Sequence, residues 1–267
     1  VQPPTDAEPG IIAFHGSAAD FDQFRLEKIG TGEGAQAYGY GLYFADKEAI
    51  ADFYRGALTD APFDYKIDGQ SVSEMYRNAV YAENYELADV LEQVQLHDTP
   101  KTIKAKFTVE NGYAQETADF VADLDYDKLT GVDVDGKEIP LGRIYKVGLT
   151  PKPDDLLDYD KPLSGQTQAI QEMVIATLKA NGAYPGSNAA ALKMQGANVL
   201  EALSSNMGAM DWPVGADAKT RQEFRTKGEA NASQALFEAG IPGIKYLDGN
   251  SRNSGAGSTN YVIFDDS

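Results

Sequence analysis

The side chains with reactive chemistry are few in this chain. Its 267 residues include no Cys and two His, His15 and His97. The lack of Cys excludes a thiol nucleophile, a disulfide scaffold, a zinc ribbon and an iron–sulfur site. Two His residues are too few for a His-rich metal site. We therefore expect a function that uses no metal ion.

Three segments match phosphate-binding or cation-binding patterns only in part. Residues 32–37 fit the dinucleotide pattern G-x-G-x-x-A, but no buried strand precedes them and no strong helix follows. Residues 131–137 fit the P-loop pattern G-x-x-x-x-G-K, but Glu138 stands where Ser or Thr would bind magnesium. Residues 123–127 begin like a calcium loop, but Lys128 stands where Gly is needed. We interpret the three segments as a glycine-rich loop, a turn and a solvated acidic loop.

The remaining candidates lie on short elements near the two ends of the chain. In order, these elements are a strand at 11–14 that ends in His-Gly-Ser, a glycine-rich loop at 30–41, a strand at 42–44, a helix at 46–54 and a strand at 260–264. Taken alone, His15 is a structural residue after a strand, and Asn260 is a turn residue at a strand edge. Tyr43 and Tyr54 are then core aromatics among 15 Tyr. Only their joint arrangement favours a functional role.

The rest of the chain alternates between helical and strand patterns. Apolar residues at helical spacing predict one long helix or a pair at 71–97, and further helices at 168–181, 189–204 and 229–239. Alternation predicts strands at 103–109 and 143–149, and turn residues at 132–136 predict a hairpin. The Gly/Ser/Asn-rich loop at 248–258 separates a further predicted strand at 244–247 from the strand at 260–264. The mixture of short strands and separate helices predicts an α+β fold whose sheet joins both ends of the chain.

Acidic residues dominate the charge, with 41 Asp and Glu against 23 Lys and Arg and a formal charge of −18. This surplus disfavours broad nucleic-acid binding and anionic membranes, because both depend on Lys and Arg. The acid is regional, since residues 56–170 hold 22 acidic and 11 basic residues whereas 171–267 hold 10 and 8. A run of about 18 apolar residues, as a membrane helix needs, is absent from the sequence. We expect protein or small-molecule partners, no membrane and a monomeric chain.

Two of the blocks resemble the signature of a known enzyme family. The segments FHGS at 14–17 and YGYGLYFAD at 38–46 resemble the diphtheria-toxin and poly(ADP-ribose) polymerase clade of ADP-ribosyltransferases, the His-Tyr-x clade. In that clade a helix ends in a Tyr that aligns with Tyr54. The last strand of the clade, Asn-Glu-Tyr-Ile-Val-Tyr-Asp, aligns with residues 259–265.

A closer resemblance is to the ADP-ribosyltransferase domains of polyvalent proteins from phages and conjugative elements. It rests on the segments 28–39, 157–163 and 240–246. The resemblance implies an ADP-ribosyltransferase-like split mixed/antiparallel β-sheet core with a large helical and hairpin insertion. We therefore expect a disordered lead-in at 1–10 and a single catalytic domain at 11–267, with 56–140 and 168–228 as insertions or wrapping helices.

The resemblance also implies a site that binds NAD as a co-substrate, with no metal. His15 would hydrogen-bond a ribose hydroxyl, and the backbone of Gly16 would hold the nicotinamide carboxamide. Tyr43 and Tyr54 would stack on the two sides of the nicotinamide ring. Breaking the bond between nicotinamide and ribose leaves an oxocarbenium-like ribose, so the site mainly has to orient NAD and exclude water.

Two positions depart from the family pattern. The family's catalytic Glu aligns with Asn260, which can hydrogen-bond a hydroxyl but carries no charge to stabilise the ribose cation. A different carboxylate such as Glu33 is an alternative. Ala51 replaces a Ser that bonds the carboxamide in the polymerases, so one hydrogen bond is missing. Ser17, on the adenosine side, and Phe44 complete the predicted cofactor-binding residues, whereas the predicted catalytic residues are His15, Tyr43 and Asn260.

The function implied is that of an NAD-dependent mono-ADP-ribosyltransferase. It would cleave the nicotinamide–ribose bond and transfer ADP-ribose to an acceptor, which we expect to be a host protein rather than a nucleic acid. The alternatives are an NAD glycohydrolase, in which water replaces the acceptor, and an inactive NAD-binding or interaction module, because Asn260 replaces the family Glu. By the same resemblance we expect a toxin-like protein of the bacterial cytoplasm, in the producing or infected cell, released from a larger polyprotein.

Overall fold

The fold is known from a computed structural model. It describes residues 10–29, 38–57, 62–96, 100–125, 128–139, 141–248 and 257–266. The chain divides into two compact units, of which the first comprises 1–16, 21–53 and 144–267 and the second 17–20 and 54–143. The second unit covers nearly the same residues as the predicted insertion at 56–140. The single catalytic domain over 11–267 stays a prediction, and residues 1–9 of the predicted lead-in lie outside the described residues.

Strands and helices are both well represented, so the predicted α+β class is confirmed. The strands are β1 (Ile11–Ser17), β2 (Leu42–Ala45), β3 (Asp64–Ile67), β4 (Gln70–Ser71), β5 (Thr130–Val132), β6 (Glu138–Ile139), β7 (Arg143–Leu149), β8 (Leu157–Asp158), β9 (Gly243–Leu247) and β10 (Thr259–Ile263). The helices are α1 (Glu48–Ala57), α2 (Val72–Tyr81), α3 (Tyr85–Gln95), α4 (Pro100–Lys106), α5 (Gln115–Asp123), α6 (Gln168–Ala180), α7 (Asn188–Ala191), α8 (Gly196–Ser204) and α9 (Ala218–Glu238).

A six-stranded mixed sheet forms the centre of the first unit. Its strand order is β7-β1-β2-β10-β9-β8. β2 pairs antiparallel with both β1 and β10, β10 pairs antiparallel with β9, and β8 runs parallel to β9. The strands from the two ends of the chain therefore lie side by side, as the sequence predicts.

Each face of this sheet has its own apolar core. One face carries Val262 and Ile244, which are fully buried in a cluster with residues of α6, α8 and α9 such as Leu178, Leu203 and Leu236. The other face carries a smaller cluster of Ile11, Ala13, Phe44, Leu149, Leu156, Tyr261 and Ile263. Because neighbouring residues of a strand point to opposite faces, β2 contributes Phe44 to the second cluster and Tyr43 to the first.

The second unit has an antiparallel sheet of order β4-β3-β5-β6 and a separate apolar core. The predicted hairpin is confirmed, because β5 pairs with β6 and the amide of Gly136 donates to the carbonyl of Asp133 at 3.0 Å. The long helical segment at 71–97 is a pair, α2 and α3. A π-helical turn at Ser205–Ala209 extends α8 in the first unit.

One predicted strand is wrong. Residues 103–109 were expected to alternate as a strand, but Pro100–Lys106 form the helix α4. Ile103 and Phe107 are both buried in the core of the second unit. A spacing of four residues satisfies a helical face as well as a strand face, and Pro at a first helical position with Ala and Lys behind it favours the helix. Among the described residues, no helix is long and apolar enough to cross a membrane.

Candidate active site

His15 lies on β1, in the middle of an aromatic group. Its ring centroid is 5.1 Å from that of Phe24, 5.8 Å from Phe44, 6.1 Å from Phe21 and 6.4 Å from Tyr145. The imidazole Nδ1 lies 2.7 Å from the main-chain carbonyl oxygen of Tyr43 on β2. The side chain is therefore held both by packing and by one strong hydrogen bond.

Burial lowers the pKa of His15 below its usual 6.5, and the hydrogen bond to the carbonyl of Tyr43 opposes this shift. His15 is therefore neutral at physiological pH. A carbonyl oxygen only accepts, so we assign the proton of the neutral ring to Nδ1, which donates to Tyr43. This tautomer leaves Nε2 as a hydrogen-bond acceptor. A ligand hydroxyl is a suitable donor for it.

The lowered pKa makes stability depend on pH. The unfolded state binds a proton at about pH 6.5 whereas the folded state resists it, so His15 costs stability as the pH falls below that value. We expect the free energy of unfolding of the wild type to fall more steeply between pH 7.5 and 5.5 than that of His15→Gln. Urea titrations at several pH values measure this. His97→Gln, which replaces the other histidine, is the control, and its free energy of unfolding should fall with pH as steeply as that of the wild type. Equal pH slopes for His15→Gln and the wild type would contradict the assignment.

Tyr43 points to the opposite face of the sheet from His15. Its ring packs edge-on against Tyr246, with centroids 6.4 Å apart. Its hydroxyl donates to the carbonyl of Gly39 at 2.7 Å and accepts from the amide of Tyr38 at 3.1 Å. Gly39 has a φ of +115°, which favours glycine, and a Cβ there would lie 3.0 Å from Ile244. Tyr43 thus fixes the end of the glycine-rich segment to the sheet.

Burial raises the pKa of Tyr43 far above its usual 10.0, and the hydrogen bond from Tyr38 opposes the shift. The phenol therefore stays protonated and serves as a donor. It is not a general base at physiological pH.

Asn260 lies on β10, on the same face as Tyr43. It stands opposite Ala45 on β2 and Tyr246 on β9, while Val262 stands opposite Tyr43. Its side chain is buried, with 2% of the residue exposed. Nδ2 donates to a carboxylate oxygen of Asp248 at 3.4 Å. The amide oxygen Oδ1 has no partner among the described residues, so this buried acceptor is open to a donor from a ligand or from ordered water.

The predicted residues of the first unit therefore fall on two faces. His15 and Phe44 share one face, and Tyr43 and Asn260 share the other. The two faces are linked through the main chain of β2, because His15 Nδ1 hydrogen-bonds the carbonyl oxygen of Tyr43. Gly16, directly after His15, is buried at this point of β1. The arrangement brings three predicted blocks onto the adjacent strands β1, β2 and β10, without gathering all their side chains into one pocket.

The structure gives a local environment for three of the other predicted residues. Ala51 is buried in α1, with 2% exposed. Ser17 and Tyr54 belong to the second unit. The hydroxyl oxygen of Ser17 accepts from the amide of Ala19 at 3.0 Å, and Tyr54 is 46% exposed on α1. Glu33 lies outside the described residues.

Glu229 on α9 is a residue that sequence reasoning missed. Burial raises the pKa of Glu229 above its usual 4.5, and the nearby Arg225 opposes this shift. Its negative charge also helps to raise the pKa of Tyr43. One turn further along α9, the hydroxyl of Ser233 is buried with no partner among the described residues. The available signal was a Glu at helical spacing from the buried Ala232 and Leu236, where an apolar residue is normal.

Comparisons with known proteins add nothing to this geometry. No family model, no curated protein and no solved structure matches the chain. Within the described residues, no group of three or more His, Asp or Glu could hold a metal ion.

Proposed function

We propose that the chain is an NAD-dependent mono-ADP-ribosyltransferase with an ADP-ribosyltransferase-like core. The observation that carries the proposal is the adjacency of β1, β2 and β10, because these strands bear the three blocks that resemble the family. The blocks are separated by more than 200 residues of sequence between Tyr43 and Asn260, yet they are neighbours in the sheet. The partly buried imidazole of His15, hydrogen-bonded to the main chain of Tyr43, is a second support.

In this proposal NAD lies at the end of β1 and β2, where His15 contacts Tyr43. His15 Nε2 accepts from a ribose hydroxyl, and the main chain of Gly16 holds the carboxamide of nicotinamide. The bond between C1′ of the ribose and the nicotinamide nitrogen breaks, and its electron pair leaves with nicotinamide. A nucleophile of the acceptor forms the new bond to C1′, and its proton passes to solvent.

The uncharged Asn260 limits the electrostatic help that the site gives to the ribose cation. An amide stabilises such a charge less than a carboxylate does, because it offers a dipole in place of a full charge. Glu229 contributes negative potential at Tyr43 on the same side of the sheet. We therefore infer a slow transfer of single ADP-ribose units, in which the acceptor supplies part of the driving force. The net charge of −18 favours a protein acceptor over a nucleic acid.

Incubation with NAD labelled in the adenylate phosphate, with and without a bacterial lysate, tests the proposal. The proposal is supported if the label stays attached to a protein during denaturing electrophoresis. Free labelled ADP-ribose without lysate indicates an NAD glycohydrolase, and unchanged NAD indicates an inactive module. We expect His15→Gln to lower NAD turnover about tenfold, the usual effect of one lost hydrogen bond. His97→Gln is the matched control, and equal turnover in the two variants would contradict the assigned role of His15.

A further inference from the structure

Two exposed tyrosines mark the corner where α2 meets α3 in the second unit. Tyr81, the last residue of α2, is 86% exposed, and Tyr85, the first residue of α3, is 63% exposed. Glu83 between them is exposed as well, and so is Asp89, one turn after Tyr85 on the same side of α3. None of these four side chains has a hydrogen bond or an ion pair to another described residue. We call this set the exposed-tyrosine patch.

The backbone under the exposed-tyrosine patch is held by several hydrogen bonds. The amide of Glu83 donates to the carbonyl of Val80 at 3.1 Å, and that of Asn84 donates to the carbonyl of Ala79 at 2.9 Å. The Asn84 side chain then caps α3 by accepting from the amide of Leu87 at 3.1 Å. These bonds form a Schellman ending of α2 that leads directly into the cap of α3. The exposed rings are therefore presented on a fixed backbone, which lowers the entropy lost when a partner binds.

Glu83 occupies the position of that motif which normally holds glycine. Its φ is +58°, in the left-handed region that a residue with a Cβ adopts at a cost. A glycine would relieve this strain without changing the hydrogen bonds. The residue present instead adds an exposed carboxylate between the two tyrosines in sequence. Glu83 therefore costs the turn some stability and adds a negative charge at this surface.

The charge of the surrounding unit determines which partner fits. Residues 17–20 and 54–143 hold 19 acidic and 9 basic residues. The exposed Arg77, one turn before Tyr81, is the basic side chain nearest in sequence to the exposed-tyrosine patch. Tyrosine faces attract guanidinium and ammonium groups, and carboxylates pair with them. An acidic surface also speeds the encounter with a basic partner and repels phosphate. A second copy of this chain carries the same net charge of −18 and is repelled.

We propose that the exposed-tyrosine patch binds an Arg- or Lys-rich segment of another protein. The rings of Tyr81 and Tyr85 take the cationic side chains on their faces, and Glu83 and Asp89 pair with the same cations. Tyr is enriched at protein interfaces for this combination of a rigid ring and a polar tip. The inference concerns binding by the second unit and does not depend on NAD chemistry in the first.

Fluorescence anisotropy with a labelled peptide of four Arg-Gly-Ser repeats tests the proposal on the full chain. We expect saturable binding that weakens as NaCl rises from 50 to 500 mM. The double variant Tyr81→Ala/Tyr85→Ala should weaken binding about tenfold, as expected for two lost cation–π contacts. The matched control is Phe63→Ala, because Phe63 is 71% exposed and its neighbour Asp64 bonds Ser73 at the start of α2, whereas Tyr81 ends that helix. Its binding should equal that of the wild type.

Glu83→Gly separates binding from stability. The glycine removes both the carboxylate and the strained φ, so we expect weaker binding by about threefold, together with a Tm that does not fall. Equal binding by Tyr81→Ala/Tyr85→Ala and the wild type would overturn the proposal, and so would equal loss in Phe63→Ala. Binding of the same peptide with Glu in place of Arg would also overturn it. Salt-sensitive self-association in sedimentation velocity, if lost in the double variant, would make a second copy the occupant and reject a separate basic partner.

Discussion

Gly228→Ala is expected to lower the free energy of unfolding of the first unit by about 2 kcal/mol, a typical cost of overpacking. Gly228 lies on the buried side of α9, and a Cβ there would lie 2.4 Å from the amide nitrogen of Ala209 and 2.5 Å from its Cβ. Ala209 ends the π-helical turn, so the obstacle is main chain and cannot rotate away. A second contact holds the two elements together, because Asn231 donates to the carbonyl of Met207 at 2.9 Å.

Urea unfolding followed by tryptophan fluorescence measures this loss. Trp212 is the single Trp of the chain and lies beside α9, with the Arg225 guanidinium 5.7 Å from its ring. Gly56→Ala is the matched control, since Gly56 also lies in a helix but a Cβ there meets nothing within 4 Å. That variant should gain up to about 1 kcal/mol of stability from helix propensity, measured by circular dichroism. Losses of similar size in both variants would show that the contact with Ala209 is not the cause.

Several strands of the central sheet could be predicted from the sequence, because their patterns are local. Alternation in 143–149 and a short apolar run at 11–14 predict strands whatever the rest of the chain does. The turn residues around Gly136 likewise predict the β5–β6 hairpin. The helix α4 was missed, because the spacing of Ile103 and Phe107 fits one face of a helix as well as one face of a strand.

The face of the sheet to which each side chain points could not be predicted in the same way. A shift of one residue in pairing moves every side chain of a strand to the other face, and the pairing partner of β2 is far away in sequence. The sequence therefore predicts that His15, Tyr43 and Asn260 are close, but not that His15 faces Phe44 while Tyr43 faces Tyr246. Glu229 was missed for a similar reason, because its proximity to Tyr43 depends on how α9 packs on the sheet.

Asn260→Glu, which would introduce the carboxylate of the family that the sequence resembles, is expected to lower the free energy of unfolding by about 3 kcal/mol or more at pH 8, as an unpaired buried charge does. The position is 2% exposed and closely flanked by Ala45 and Tyr246. The substitution removes the amide donor to Asp248 and places a second carboxylate beside it. Burial and the neighbouring charge both raise the pKa of such a carboxyl group.

The pH dependence identifies the cause of this loss. A carboxyl group whose pKa is raised by folding costs stability only above its unfolded pKa of about 4.3, so the loss should be smaller at pH 5 than at pH 8. Asn260→Asp keeps the size and adds the charge, so we expect the same pH dependence from it. Asn260→Gln adds a methylene without charge, so its loss should not change with pH. Activity of the carboxylate variants therefore has to be compared at equal folded fractions. If Asn260→Glu were as stable as the wild type at pH 8, position 260 would be hydrated enough to hold an ionised Glu. Packing would then not be the reason for an amide at position 260, and under the proposed function that variant should turn over NAD faster than the wild type.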